Sequence, residues 1–364
     1  MNIIFISDGT LEYDGRLREL IKVAKELGST IYLTRAISPK SKQENSHIII
    51  SKLGNVGYFY LILKSLVVAI NIKKIDVLFL DNRKSIIPGM IVNLLKKPKH
   101  LVLDVRELYM PKEVKHLVGK IGCYLEAIMI KKADVIICAN KYRASIMKEY
   151  YSLEKEPLVY ENIRKLKKSH EYSDGDLFEK YGDIFKKKTM KVISTSGWSI
   201  SRTNDQLVKA MRTLGEGYEL YLVGGGTEKD ELIIRNLVEQ YQLYNVHLIN
   251  IVNTDELIYL INNCNIGVVN YNQIDLNNKY CASGKIFEFL FEGLPIITTE
   301  NTPLMDICEV YKIGISDNNY WSGILNIVQN YDYYKKNVNE YINNIDVEEN
   351  NMNLRDNILS ALSE

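Results

Sequence analysis

Apolar residues recur along the chain in two alternating rhythms. Short unbroken runs of aliphatic and β-branched residues at 2–7, 31–34, 77–80, 101–105 and 135–138 show no polar alternation. That is the pattern of parallel strands covered on both faces. A polar turn over 8–15 leads into 16–27, where Leu17, Leu20, Ile21, Ala24 and Leu27 follow helical spacing and Gly28 ends the run. Further helices are predicted over 86–95, 114–130 and 142–150. The alternation stops at 165–188, a polar, lysine-rich stretch poor in aliphatics, and then starts afresh. The second series predicts strands at 192–195, 220–223, 246–249 and 266–269, and helices at 205–214, 230–241 and 254–262. The pattern is that of an α/β protein with two parallel-sheet domains and a cleft between them as the default site. The expected division is 1–165, a connector or exposed insertion over 166–189, a second domain over 190–319, and a helical segment over 320–364. In that last segment Trp321, Ile324, Ile327 and Val328 keep helical period, and the helix is expected along the cleft edge or back on the first domain.

The stretch 281–298, CASGKIFEFLFEGLPIIT, organises the second series. Ala282, Ser283, Gly284 and Lys285 make a small-residue turn with a cation. An amphipathic segment follows, and Gly293 and Pro295 stop it before a β-branched run. The reading is loop, short helix, buried strand. A helix starting at Ser283 and Gly284 offers unpaired N–H groups to an anion, with Lys285 beside them and the Glu288 carboxylate one turn later. The alternative is an ordinary helix with incidental charges.

Composition narrows the class. The chain has 364 residues, 46% hydrophobic and 25% charged, as in soluble globular proteins. Five scattered cysteines suggest neither a disulfide framework nor a zinc site, so a reducing cytoplasm is expected. The first residues read as a strand and turn rather than a signal peptide. The longest apolar run, 58–72, contains Lys64 and is expected to be a core helix. Charge is divided unevenly: residues 1–168 carry 30 Lys and Arg against 17 Asp and Glu, and the remainder 16 against 28. A basic first half suggests an anionic partner, expected to be a membrane face or lipid phosphate and not nucleic acid. Merely solvated lysine-rich helices are the alternative.

Chemistry can sit at three further loops. In TSGWSISRTND, Gly197 permits close backbone approach to a ligand, Trp198 lies beside it, and Arg202 can clamp a phosphate or serve as a rim cation. The Gly224–Gly226 cluster links a strand to a helix, as a ligand turn or a structural one. Asp104, Arg106 and Glu107 follow a first-domain strand, where they face substrate or form a salt-bridge cluster that fixes the loop. Gly15 precedes the first helix in the arrangement by which doubly wound sheets receive phosphates or sugars, although the spaced dinucleotide glycines are absent. The five histidines show no metal spacing, and neither GxxxxGK[ST] nor GxSxG occurs. A hydrolase with a dedicated nucleophile is therefore not the expectation.

These residues resemble a GT-B glycosyltransferase, most nearly glycosyltransferase family four and its bacterial surface-polysaccharide members. The resemblance rests on Ser283, Lys285, Glu288, Phe289, Gly293, Pro295, Ile296 and Ile297, supported by Leu220 to Gly226, Gly197 to Asp205, Asp104 to Leu108 and Asp14 to Arg16. It implies two Rossmann-like domains and transfer, with retention, from a nucleoside-diphosphate sugar, UDP favoured, to a glycan or lipid-linked acceptor. It implies donor contacts from Gly15, Gly197, Trp198, Arg202, Ser283, Gly284, Lys285 and Glu288. Glu288 would take the ribose and Arg202 and Lys285 the pyrophosphate, with no cofactor or metal. Two positions depart from the pattern. Tyr280 stands where the family carries a first glutamate, and Arg106 where it carries a cleft histidine. Catalytic contacts are then expected from Arg106, Glu107 or Asp104, and Arg106 cannot act as a base because guanidinium stays protonated. The expected location is cytoplasmic, peripheral at the inner membrane face. A nucleotide-sugar 2-epimerase of the same fold and a non-catalytic partner subunit are the alternatives.

Overall fold

The aliphatic runs do form parallel strands, and the computed structural model of the chain, which describes residues 1–11, 14–35, 47–50 and 54–363, groups them into two units. Unit 1 comprises Met1–Ile163 and Val347–Glu364, and unit 2 comprises Arg164–Asp346.

Unit 1 contains strands β1 (Asn2–Thr10), β2 (Ser29–Arg35), β3 (His47–Ile50), β4 (Val77–Asp81), β5 (His100–Val105), β6 (Val135–Cys138) and β7 (Leu158–Val159). Its helices are α1 (Gly15–Leu27), α2 (Gly54–Asn71), α3 (Ile86–Lys96), α4 (Leu117–Ile130) and α5 (Lys141–Tyr151). The strands lie in the order β3-β2-β1-β4-β5-β6-β7, all parallel. This is the doubly wound order, with its reversal between β1 and β4, where such sheets take ligands at the strands' carboxyl ends. Helix α1 starts where the Asp14 side chain accepts a hydrogen bond from the Leu17 amide at 2.9 Å. Leu17, Leu20 and Ala24 are then buried in the core.

Unit 2 begins with α6 (Asp174–Tyr181) and continues with β8 (Met190–Ser194), α7 (Asn204–Leu214), β9 (Tyr218–Val223), α8 (Glu228–Gln240), β10 (Val246–Ile249), α9 (Thr254–Asn262) and β11 (Ile266–Val269). There follow α10 (Leu276–Lys279), α11 (Lys285–Phe291), β12 (Ile296–Thr298), α12 (Thr302–Tyr311), β13 (Gly314–Ser316), α13 (Tyr320–Gln329) and α14 (Tyr331–Asn343). The parallel order β10-β9-β8-β11-β12-β13 repeats the doubly wound topology, with the reversal between β8 and β11.

Three expectations need correction. The connector is not a linker: Asp255 accepts hydrogen bonds from the Ser169 amide at 2.6 Å, the Ser169 hydroxyl at 2.7 Å and the Glu171 amide at 2.9 Å, tying it into unit 2. The C-terminal segment returns to unit 1 as expected, but only in its last part. In α13, Tyr320, Ile324 and Ile327 are buried in unit 2, whereas α15 (Val347–Ser363) buries Leu354 and Ile358 in the core of unit 1. Two such side chains contribute about 1.5–3 kcal/mol each, enough to anchor a 17-residue helix. Finally, α2 is not a core helix. Only Gly57, Leu61, Ser65, Val68 and Ala69 are buried, while Phe59, Leu63, Val67 and Ile70 are exposed. It is also long and apolar enough, by length and composition, to cross a membrane, which the reading of 58–72 did not allow.

Candidate functional site

The stretch 281–298 folds as its pattern dictates, into loop, α11 and β12. Gly293, at φ +77°, closes α11: its amide bonds to the Leu290 carbonyl at 2.9 Å and the Leu294 amide to the Phe289 carbonyl at 3.1 Å. This paired return requires a residue in the left-handed region, which glycine adopts without strain. The helix has only seven residues, so what it brings to the site is side chains at its start.

Those side chains meet the carboxyl ends of β8, β9 and β11. A pocket of about 290 Å³ lies there, lined by Thr195, Ser196, Gly197, Ser199 and Arg202 after β8, Gly224 and Gly225 after β9, Val269, Asn270 and Tyr271 at the end of β11, and Lys285. It therefore sits at the topological switch point of the second sheet. Gly197, at φ +65°, packs so closely on the next loop that a Cβ would come 1.9 Å from the Gly225 carbonyl oxygen. An all-polar net holds this backbone in place. Asn204 donates to the Gly197 carbonyl at 2.6 Å and the Ser196 hydroxyl at 3.0 Å, and Asn270 donates to Asn204 at 2.9 Å.

Two cations line the pocket. The Lys285 ammonium donates to the Thr195 carbonyl at 2.8 Å and hydroxyl at 2.9 Å, which uses two of its three protons. Burial lowers its pKa from the usual lysine value; Glu288 opposes that shift, and the charges of Arg164 and Arg202 add to it. Arg202 stacks its guanidinium over the Tyr271 ring at 3.7 Å, which fixes its plane at the pocket wall. Glu288 is 4% exposed and is ion-paired with Arg164. Its Oε2 has no hydrogen-bond partner and lies 4.0 Å from the Lys285 ammonium, and the buried Ser283 hydroxyl is likewise unsatisfied. Buried acceptors left open in this way carry a desolvation cost that a donor from a ligand can relieve.

The expected residues thus divide. Gly197, Arg202 and Lys285 line the pocket, and Ser283, Gly284 and Glu288 adjoin it through α11. Trp198 does not line it: the indole is 3% exposed and belongs to the hydrophobic core of unit 2. Gly15 lies in unit 1, as the first residue of α1.

In unit 1 two of the expected catalytic trio are held in a network of ion pairs. Asp104 is fully buried and gripped by Arg16 through two hydrogen bonds, of 2.9 and 2.6 Å. Burial pushes its carboxyl up, but the charge and hydrogen bonds of Arg16 more than reverse this and hold it below the usual range. Both of its oxygens are thus occupied by Arg16. Arg106 is pinned by ion pairs to Asp81 and Asp14, and its backbone carbonyl accepts from Arg143. Only Glu107 of the three is exposed. Asp81, fully buried, accepts from the Ser7 hydroxyl at 2.6 Å, and its carboxyl is pushed up to about 7 by burial and by its neighbours Asp104 and Asp14, against the pull of Arg106.

Sequence reasoning overlooked Asp81, Arg164, Asn270 and Tyr271. A usable signal existed for three of them: Asp81 ends β4, and Asn270 and Tyr271 directly follow β11, the strands flanking each reversal. Arg164 carried none, since it stands in a run of basic residues with Lys165, Lys167 and Lys168.

No protein-family model matches the chain, and no curated protein matches its sequence. Solved structures match along its whole length. Sucrose-phosphate synthase from Thermosynechococcus elongatus aligns with a TM-score of 0.75 and 16% identity, over 100% of this chain and 99% of that one. HepE of Anabaena, solved with UDP and glucose, aligns with a TM-score of 0.73 and 14% identity, over 99% and 100%. WaaG, a glycosyltransferase involved in lipopolysaccharide biosynthesis, aligns with a TM-score of 0.67 and 14% identity, over 97% and 98%. At these identities the likeness is one of architecture, and it agrees with the two doubly wound sheets: the chain has the two-domain, Rossmann-like GT-B fold.

Proposed function

We propose that the protein is a glycosyltransferase whose unit 2 holds a nucleoside-diphosphate sugar. The observation that carries this reading is the pocket at the β8/β11 reversal, where a glycine-bared backbone meets Lys285 and Arg202 and an incompletely satisfied Glu288 lies alongside. Lys285 and Arg202 hold the diphosphate. As the bond to the sugar breaks, negative charge grows on the leaving diphosphate, and two cations already in place stabilise it without reorganisation. That arrangement supports a donor site that works without a metal. Glu288 accepts from the ribose hydroxyls through its open oxygen. UDP is the favoured nucleotide, in keeping with the complex of the similarly folded HepE with UDP and glucose.

Transfer with retention to a glycan or lipid-linked acceptor in surface polysaccharide synthesis completes the proposal, with the acceptor met by unit 1. Of the three expected catalytic residues, Glu107 is the one exposed to touch it. A thermal-shift screen of the full chain with UDP, GDP, CMP and ADP tests the donor site. Stabilisation by one nucleotide, weakened in Glu288→Ala, is the expected result. No stabilisation by any of the four would point instead to a non-catalytic partner subunit.

A further inference from the structure

Three neighbouring helices of unit 1 present apolar side chains outward as well as inward. Helix α3 packs against α2 on one side and α4 on the other. On α2, Val56, Phe59, Leu63, Val67 and Ile70 are exposed, at spacings of three, four, four and three, which is one continuous stripe. On α4, Val118, Ile121, Tyr124 and Ile128 make a second stripe, at spacings of three, three and four. Leu94 and Leu95 of α3 stand exposed as well. The extent is unusual: Val118 is 81% exposed, Leu94 77% and Ile70 64%. Isolated exposed apolar residues are ordinary, whereas contiguous sets mark interaction surfaces.

The charges of the same layer are of one sign. Among the residues of α2, α3 and α4 the sole carboxylate is Glu126, which is buried and ion-paired with Arg83 at 2.6 Å. Lys64 and Lys120 sit exposed on the helices themselves, and each helix runs out in a lysine pair: Lys73 and Lys74, Lys96 and Lys97, Lys131 and Lys132. Asp76 and Asp134, which follow α2 and α4, accept from the backbone amides of Asn2 and Leu101, and Asp76 also pairs with Lys74 at 3.0 Å, which among the described residues leaves Lys73 as the unpaired charge of that end.

We propose that the outer faces of α2, α3 and α4 form a docking surface for an anionic lipid bilayer. Apolar stripes enter the headgroup boundary while lysines keep their ammonium groups among lipid phosphates. Charge decides against a second copy of the chain, because two such faces would bring like charges together. Helix α2 lies on the bilayer rather than crossing it, since Leu61, Val68 and Ala69 are buried and the helix packs on β1, β2, β3 and α3. The sequence pointed to a basic first half in general; unit 1 as folded has 27 Lys and Arg against 21 Asp and Glu, a modest excess. What selects this surface is the absence of exposed carboxylates on three adjoining helices, together with their apolar stripes. The inference does not rest on the glycosyl-transfer reading.

Sedimentation of the full chain with vesicles tests it. Binding is expected to vesicles of phosphatidylcholine with phosphatidylglycerol, and to be markedly weaker to phosphatidylcholine alone. Lys131→Gln with Lys132→Gln should weaken binding about 25-fold at low salt, about fivefold for each lysine near the surface. Val67→Ser with Ile70→Ser should weaken it through lost apolar insertion. Circular dichroism and thermal unfolding of each variant confirm that it is folded. The proposal is overturned if the folded chain binds neither vesicle, or binds both equally. It is also overturned if light scattering shows a dimer that Val67→Ser with Ile70→Ser dissociates and no vesicle binding accompanies it.

Discussion

Replacing Arg164 by alanine probes how the buried Glu288 carboxylate is kept beside the pocket. Glu288 is 4% exposed and paired with Arg164, and its second oxygen has no hydrogen-bond partner. Removing one member of a fully buried ion pair costs about 3–5 kcal/mol, because the remaining charge is stranded. Two features here reduce that figure. The Arg164 side chain is 27% exposed, so water screens part of the pair, and the Lys285 ammonium lies 4.0 Å from Glu288. The expected loss is therefore roughly 2–3 kcal/mol. Adding Glu288→Gln to Arg164→Ala removes the stranded charge and should recover all but about 1 kcal/mol. Both tryptophans of the chain, Trp198 and Trp321, lie in unit 2, so intrinsic fluorescence during urea denaturation reports that unit separately. If Arg164→Ala stays within about 0.5 kcal/mol of the unaltered chain, or the double variant is as unstable as the two singles added, Glu288 does not depend on Arg164 and the reasoning fails.

Gly197→Ala should destabilise unit 2 by roughly 2–4 kcal/mol on the same fluorescence signal, since the residue sits at φ +65° and its Cβ would meet the Gly225 carbonyl oxygen at 1.9 Å. A loss under about 1 kcal/mol would mean the loops separate easily. Lys285→Ala should weaken nucleotide binding about 10- to 100-fold at neutral pH, the worth of a charge-assisted hydrogen bond. Burial lowers the pKa of Lys285, and the diphosphate needs the protonated form, so affinity should fall on the alkaline side earlier than for an ordinary lysine. Isothermal titration across that range checks both statements, and an unchanged profile in Lys285→Ala would assign the fall elsewhere. Asp81, pushed up to about 7, is protonated in the folded state over a range where the unfolded carboxyl is ionised. Its contribution to stability is thus full at low pH and is lost as pH rises from about 4 to about 7. Asp104 runs the opposite way, its contribution being lost only in acid, as pH falls through its lowered pKa. Asp81→Asn should flatten the decline between about pH 4 and 7 in the urea transition that circular dichroism detects without a fluorescence change. A decline that persists in the variant would exclude Asp81 as its source.

The legibility of the site followed the reach of each interaction. Helix α11 with its Gly293 cap, and Lys285 one turn ahead of Glu288, are local features, and the sequence pattern placed them. Asp104 and Arg106 were also seen, but their role depends on partners far along the chain. Arg16 lies 88 residues from Asp104, and Asp81 lies 25 from Arg106. Without those partners a row of charged side chains after a strand reads equally well as a catalytic set or a salt-bridge network. Trp198 shows the converse error, because a tryptophan in a polar loop carries no local sign that it turns into the core.

By itself the amino-acid sequence determined the strand–helix alternation, the two parallel sheets and the loops at their carboxyl ends, because burial on both faces demands unbroken aliphatic runs and helices demand their own period. Tertiary structure alone decided what those elements face. Helix α2 has an inward and an outward apolar side, and composition cannot say which side meets protein and which meets solvent. Nor can it say that the polar stretch 165–188 belongs to unit 2, or where the C-terminal segment divides so that only α15 makes the expected return to unit 1. Those outcomes rest on a few long-range contacts, Ser169 with Asp255 and Leu354 and Ile358 with the first core, which have no periodicity to betray them.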